Sequence, residues 1–196
     1  MSVKLGEIAD VSTGYIKREN KRPAEPISIP IIQLRDMNVN GAIDYSSVSK
    51  EIISSKDRYP QLYAGDVIFA AKGGRRSAGV IDREVEGLTA SNHYLIIRIK
   101  DEYKEKLLPE YLAFYFRQKP AMDYFEQCAS GSHIPFITAA ALKDLVIIFP
   151  EPEKQKQLAE LDSLINKERQ LVGKLQAKKK EYYEQLFAEK IGENRA

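Results

Sequence analysis

Residues 154–188 read KQKQLAELDSLINKERQLVGKLQAKKKEYYEQLFA, a stretch without proline and with a single glycine, Gly173. Its apolar residues recur at alternating steps of three and four, the heptad spacing of a coiled-coil helix. One continuous helix over this range would be about 50 Å long at 1.5 Å per residue. Such a helix is too long to pack wholly against a domain of about 150 residues. We therefore expect much of its apolar stripe to contact a partner.

The heptad seam predicts the partner to be a second copy of the chain. The nine positions of the seam are Leu158, Leu161, Ile165, Glu168, Val172, Leu175, Lys179, Tyr182 and Leu186. Seven of them are apolar, and the other two carry opposite charges. Glu168 and Lys179 would be costly in a dry interface, but they meet in an antiparallel two-fold pair whose axis passes near Gly173 and Lys174. The alternative is a helix folded back on its own domain. The narrow seam, flanked by lysines and an arginine, argues against that alternative.

The rest of the chain has the composition of one globular domain. The chain has 196 residues, 43% of them hydrophobic, which suffices for one ordinary core. We expect a mixed α+β fold in which a short-stranded sheet and helices precede the long coiled-coil helix. The predicted boundaries are residues 1–150 for the globular domain, 151–191 for the helix and 192–196 for a disordered tail.

Runs of β-favouring residues between turn residues predict the strands of this domain. The predicted strands are residues 29–34, 67–71, 80–81, 95–99 and 146–149. Pro30 cannot donate to a sheet ladder, so it confines the start of its strand to an edge. Residues 4–11 are compatible with a strand and turn or with one helical turn. Pro109 predicts the first turn of a helix over residues 109–119.

Composition also excludes several classes of protein. The longest apolar runs are far below the roughly 18 residues that span a bilayer, and the N-terminus lacks a signal-type apolar core. We therefore expect a soluble, cytoplasmic protein with no membrane partner. Cys128 is the only cysteine, and one thiol with two histidines cannot form a four-ligand zinc site. No metal and no cofactor are expected.

Catalytic motifs are not supported either. Residues 72–79 lack the Gly-Lys-Ser/Thr ending of a phosphate-binding loop. Asp66 and Lys72 lack the second carboxylate of a nuclease-like pair, and Asp66 after Gly65 is a common turn residue. The two histidines and the cysteine do not suggest a triad. The sequence therefore predicts a binding module rather than an enzyme.

Local charge, not the net charge of +2, indicates where a polyanion could bind. One basic cluster consists of Lys17, Arg18, Lys21 and Arg22. A second consists of Lys72, Arg75 and Arg76 around Gly73 and Gly74. Glycines let a backbone approach a phosphate, and arginine suits a phosphate or a guanine edge. The alternative interpretation of this loop is a solvated hairpin tip that binds nothing. For His93 and His133 the alternative to DNA contact is the role of an ordinary hydrogen-bonding loop residue.

Five segments, in this order and spacing, resemble the specificity subunits of type I restriction-modification systems. They are KLGEIADVSTG at 4–14, GDVIF at 65–69, LPEYL at 108–112, ASGS at 129–132 and PEPEKQ at 150–155. The match corresponds to one target-recognition domain and one helical repeat. The family usually has two of each, and Lys154 stands where a glutamate is common.

The resemblance implies a chain that reads a half-site of double-stranded DNA in the major groove. It also implies that the helix is a spacer that docks a methyltransferase subunit, with the restriction subunit in the same system. Catalysis, including DNA methylation, would reside in these partners. With one domain and one helix, the chain should homodimerise and read a bipartite palindrome.

The basic clusters and loops supply the candidate DNA contacts. These are Lys17, Arg18, Lys21, Arg22, Arg35, Lys72, Gly73, Gly74, Arg75, Arg76, Asn92, His93, Ser132 and His133. Two alternatives remain open. The chain could be an adaptor that dimerises through its helix without binding DNA, or a stand-alone nuclease that cleaves with magnesium.

Overall fold

A computed structural model describes residues 2–17, 25–74, 76–129 and 135–193. The chain divides into two compact units, Met1–Gln157 and Leu158–Ala196. The strands are β1 Ser2–Lys4, β2 Ala9–Thr13, β3 Pro26–Ile32, β4 Ser49–Ser54, β5 Val67–Ala70, β6 Ala78–Val80, β7 Thr89–Ala90, β8 Tyr94–Ile99 and β9 Val146–Ile148. The helices are α1 Leu5–Ile8, α2 Pro109–Phe116, α3 Lys119–Cys128, α4 Ala139–Asp144 and α5 Pro152–Glu193. The predicted α+β class with a long C-terminal helix is confirmed.

The central sheet is antiparallel and has the strand order β2-β8-β5-β6. All four residues of β5 are buried, which explains why its sequence is a continuous apolar run rather than an alternating one. Phe69 on this strand packs against Phe116 and Phe125 at ring-centroid distances of 5.6 and 4.7 Å. Its neighbours Ile68 and Ala70 belong to a second cluster that includes Tyr94 and Ile96. Apolar layers therefore cover both faces of β5.

A smaller sheet has the order β4-β3-β7. Strand β3 pairs with β4 from Pro26 to Ile31, whereas β7 joins its other side only at Ile31 and Ile32. Among the described residues, the stretch before Ile31 thus has a strand neighbour on one side only. This agrees with the expectation that Pro30 confines the start of its strand to an edge.

The helix predicted over residues 109–119 is wrong in its extent, because two helices occupy this region. Helix α2 ends at Phe116 and α3 begins at Lys119. Pro120 has no N–H to donate to the carbonyl of Phe116, as a continuous helix would require. Gln118, the N-cap residue of α3, is extended with φ −86° and ψ 156°. The proline therefore divides the helical segment and starts a second helix that the prediction missed.

Strand β9 pairs with β1 in an antiparallel ladder and is the last strand before α5. On α2, the hydroxyl of Tyr111 donates to the carbonyl oxygen of Ile148 at 2.6 Å, and that of Tyr115 donates to Val146 at 3.1 Å. The two tyrosines thereby satisfy carbonyls of a short strand. They also fix α2 beside the segment that enters α5.

Helix α5 begins at Pro152 and continues to Glu193. Proline is favoured in the first helical turn because its missing N–H is not needed there. Gln155 in this turn is fully buried. The remainder of α5 forms the second unit, where almost every side chain is exposed. None of the helices in the described residues combines the length and apolar character needed to cross a bilayer.

Candidate nucleic-acid interface

Two of the segments predicted to contact DNA, the glycine loop and the turn that contains His93, meet at the end of β5, where Phe136 and Ile137 join them. The backbone N–H groups of Ala71 and Lys72 both donate to the carbonyl of His93, at 2.9 and 3.2 Å. Ile137 donates to the carbonyl of Ala71 at 2.9 Å, and Phe136 pairs with Lys72 in an isolated antiparallel bridge. Segments distant in sequence are therefore held together by backbone hydrogen bonds.

The first basic segment starts beside the same turn. Gly14 donates to the carbonyl of Tyr94 at 3.0 Å, Tyr15 donates to that of Ala90 at 2.7 Å, and Tyr15 also bridges Ser91. A Cβ atom on Gly14 would lie 2.2 Å from the carbonyl oxygen of Ser91. Only glycine permits this close approach, which accounts for the glycine that ends the first family-like segment.

Lys17 follows directly and is exposed, with its ammonium 2.9 Å from the carboxylate of Glu51. This hydrogen bond raises the pKa of Lys17. The Lys17 side chain is exposed, but that of Glu51 is only 21% exposed, and the carboxylate oxygen that the ammonium approaches is buried. Moving the ammonium to a phosphate would therefore leave a buried carboxylate oxygen without its cation, a cost that DNA binding by Lys17 has to offset. Arg18, Lys21 and Arg22 lie outside the described residues.

The glycine loop between β5 and β6 has open space around its backbone. A Cβ atom at Gly73 or Gly74 would meet nothing within 4 Å. Gly73 has φ +93°, a left-handed conformation that favours glycine. Lys72 at its start is half-buried. The loop thus leaves room for a phosphate or a base edge next to the main chain.

Arg76 closes this loop rather than projecting freely from it. Its Nη1 donates to the carbonyl of Ala71 at 2.9 Å, and burial lowers the pKa of its guanidinium. The same carbonyl accepts from Ile137, so Ala71 joins the glycine loop to the segment after residue 134. We conclude that Arg76 shapes the loop in the free protein. Arg75 lies outside the described residues.

The remaining candidates occupy the neighbouring turns. Asn92 is half-buried and His93 exposed, with the ring Nδ1 of His93 3.4 Å from the hydroxyl of Ser91. Arg35 lies in the 3-10 turn Leu34–Asp36, which follows β3. Its guanidinium donates to the Ser49 hydroxyl at 3.2 Å. Ser132 and His133 fall outside the described residues.

Asp66 is held in a structural ion pair. It is 3% exposed, and its carboxylate oxygens accept from Nε and Nη2 of Arg98 at 2.8 and 2.6 Å. The backbone N–H of Tyr63 donates to the same carboxylate at 2.9 Å, and the pair raises the pKa of Arg98. This bidentate arrangement stabilises the turn before β5. In the described ranges no cluster of three or more histidine, cysteine, aspartate or glutamate side chains could hold a metal ion.

The seam of α5 is exposed along its length beyond the first turns. Leu161 is 52% exposed, Leu175 54% and Tyr182 61%. Sequence reasoning missed two further exposed leucines, Leu164 and Leu171, which lie beside the seam. Their seven-residue separation was a usable signal, since it repeats the heptad period. The apolar surface of the helix is therefore wider than the predicted seam.

Comparisons with known proteins identify the class of this module. The family described as "Type I restriction modification DNA specificity domain" matches residues 1–179. The chain therefore belongs to the type I restriction-modification DNA specificity domain family. This membership confirms the expectation of a specificity module rather than a catalytic subunit.

Similar proteins agree with the family and the fold. A chain from a type I R-M system, solved to explain complex assembly and conformational transition, is 20% identical with a TM-score of 0.60; the match covers 91% of this chain and 41% of that one. The HsdS subunit from Thermoanaerobacter tengcongensis is 21% identical with a TM-score of 0.60, covering 87% and 43%. The type I restriction enzyme MjaIX specificity subunit of Methanocaldococcus jannaschii is 33% identical over 72 residues, which are 34% of this chain and 17% of that protein. The chain thus spans less than half of the length of these relatives.

Proposed function

We propose that this chain is the DNA sequence-specificity subunit of a type I restriction-modification system. It reads one half-site of double-stranded DNA and docks the methyltransferase and restriction subunits, which carry out the chemistry. The observation that carries this proposal is the convergence, around one turn, of the segments that contain Tyr15, Lys72 and His93, in a chain of the specificity family. Their loops come from separate parts of the sequence, as expected of a surface that contacts several bases and phosphates.

The proposed assembly is a homodimer joined by an antiparallel coiled coil of α5. With the two-fold axis between Gly173 and Lys174, paired residue numbers sum to a constant, so Glu168 of one copy faces Lys179 of the other. The same register places Val172 opposite Leu175. Further apolar pairs are Leu161 with Leu186 and Ile165 with Tyr182. The exposure of these side chains in the single chain supports a partner at this seam.

Two recognition domains related by a two-fold axis read inverted copies of one half-site. The target is therefore a bipartite palindrome, with an unread spacer whose length depends on the helices.

Selection from randomised duplexes tests this function directly. The full chain, with its methyltransferase subunit added, should enrich duplexes that contain two inverted short motifs at a fixed separation. An asymmetric or contiguous target would contradict the dimeric part of the proposal. Failure to retain DNA or heparin, with the chain still dimeric, would favour the adaptor alternative. Magnesium-dependent cleavage by the chain alone would instead revive the nuclease alternative.

A further inference from the structure

The middle of α5 is strongly basic, although the chain as a whole is nearly neutral. From Arg169 to Lys180 the sequence has five cationic residues and no acidic one, against a net charge of +2 for the whole chain. Helix α5 is continuous across this stretch, so the charges are displayed at fixed angles. A concentration of one sign on a rigid element indicates a binding surface for a polyanion.

Two lysines of this region, Lys174 and Lys178, share one face of the helix with Lys167, which lies two residues before it. At 100° per residue, Lys174 and Lys178 lie within about 20° on either side of Lys167. We call Lys167, Lys174 and Lys178 the basic stripe. Its side chains are exposed, and none of the three forms an ion pair with any of the residues that the structure describes. Their ammonium groups are therefore available to an external anion.

The basic stripe lies away from the proposed dimer seam. Ile165, Val172 and Leu175 are about 80 to 160° around the helix from Lys167, and the nearest seam residue, Tyr182, is about 60° from it. A second copy bound at the seam would leave the lysines accessible. Each copy in a dimer would then present its own stripe.

We propose that the basic stripe binds phosphates of the unread DNA between the two half-sites; this inference rests on the proposed function. The stripe extends about 16 Å along the helix, the axial length of about five base pairs. Lysine binds phosphate as a point charge and carries no sequence information, as suits a spacer of variable sequence. A protein partner is less favoured, because lysine is depleted at the centres of protein interfaces.

The test compares three matched triple variants of the full chain. Lys167→Gln/Lys174→Gln/Lys178→Gln removes the stripe, and the corresponding arginine substitutions keep its charge. The control, Lys4→Gln/Lys104→Gln/Lys119→Gln, removes three exposed lysines that pair with Asp144, Asp101 and Asp123. Glutamine and arginine retain good helix propensity, and circular dichroism checks that helix content is unchanged.

The measurement is the dependence of affinity on salt for a duplex selected by the wild-type chain. The glutamine variant of the stripe should reduce the magnitude of the slope of log K against log salt by up to about 2.7 per chain, or 0.9 per phosphate lost. Its preferred half-sites should not change. The arginine variant and the control should keep the wild-type slope.

An unchanged slope in the glutamine variant would overturn the inference while leaving the proposed function standing. If that variant kept the wild-type salt slope but no longer bound the methyltransferase subunit, the basic stripe would instead be a contact for an acidic protein surface. Failure of the wild-type chain to select any duplex would overturn the proposed function and this inference with it.

Discussion

The side-chain oxygen of Gln155 accepts a hydrogen bond from the backbone N–H of Leu108 at 2.9 Å, across 47 residues of sequence. The amide nitrogen of Gln155 donates to the carbonyls of Lys106 and Pro150, both at 2.7 Å. Every hydrogen-bonding atom of this fully buried amide therefore has a partner. The contacts attach the first turn of α5 to the loop before α2.

We predict that Gln155→Ala lowers the free energy of unfolding by about 2 to 4 kcal/mol, since it leaves buried backbone groups without partners. Gln155→Glu keeps the acceptor for Leu108 but removes the donors to two carbonyls, so it should also destabilise. Urea unfolding at neutral pH measures both effects. Gln157→Ala, at an exposed position of the same turn, is the control and should stay within about 0.5 kcal/mol of wild type. Equal stability of the Gln155 and Gln157 variants would contradict the role of this amide.

Substitution by alanine should destabilise the protein at one of two glycines near the candidate interface and leave its stability unchanged at the other. Gly14→Ala places a Cβ against the backbone of Ser91, so we expect a loss of about 1 to 3 kcal/mol of stability from overpacking. Gly74→Ala meets open space and should change stability by no more than about 0.5 kcal/mol. Thermal unfolding of both variants measures the difference. If Gly14→Ala had the stability of the wild type, the contact between Gly14 and Ser91 would not be tight in solution.

Substitutions in the glycine loop should separate a phosphate contact from a base contact. Lys72→Gln should weaken DNA binding and reduce the salt slope by about 1, with the same preferred target. Arg75→Ala and Arg76→Ala should each weaken binding by about 1 to 3 kcal/mol, with relaxed specificity if a base edge is touched. For Arg76 we also expect lower stability, because its guanidinium holds Ala71. Titrations at several salt concentrations measure these effects, and wild-type affinity in all three variants would exclude the loop from the interface.

A charge exchange in the seam tests the antiparallel pairing. Glu168→Lys or Lys179→Glu alone places like charges opposite each other twice per dimer, so the dimer dissociation constant should rise about tenfold or more. The double exchange restores opposite charges and should recover most of the affinity. Analytical ultracentrifugation gives the three constants. Additive losses in the double variant would show that the two residues do not meet.

Regular periodicity explains which elements could be predicted from the sequence. The apolar run of β5, the β-branched run of β8 and the heptads of α5 are local signals, and all three elements occur where expected. Pro120 was also a local signal for the end of one helix and the start of another, but the helical spacing of apolar residues in α2 led to a single predicted helix. Pro120 is the second residue of α3, where a missing N–H costs no helical hydrogen bond.

The arrangement of the candidate site depends on contacts that no local pattern reveals. Lys72, His93 and Phe136 come together through backbone hydrogen bonds between distant segments, and backbone groups carry no residue-specific signal. Arg76 was predicted only as part of a basic loop, and nothing in the sequence of α5 distinguishes Gln155 from its exposed polar neighbours. The half-buried guanidinium of Arg76 and the buried amide of Gln155 are held by carbonyl groups that tertiary packing places next to them.

The mass of the complex formed on the selected duplex tests the central claim most directly. Light scattering on the full chain, of 22.3 kDa, should give two chains per duplex, with the duplex containing inverted half-sites. A single chain bound with full affinity and sequence specificity would contradict the two-fold reading of DNA.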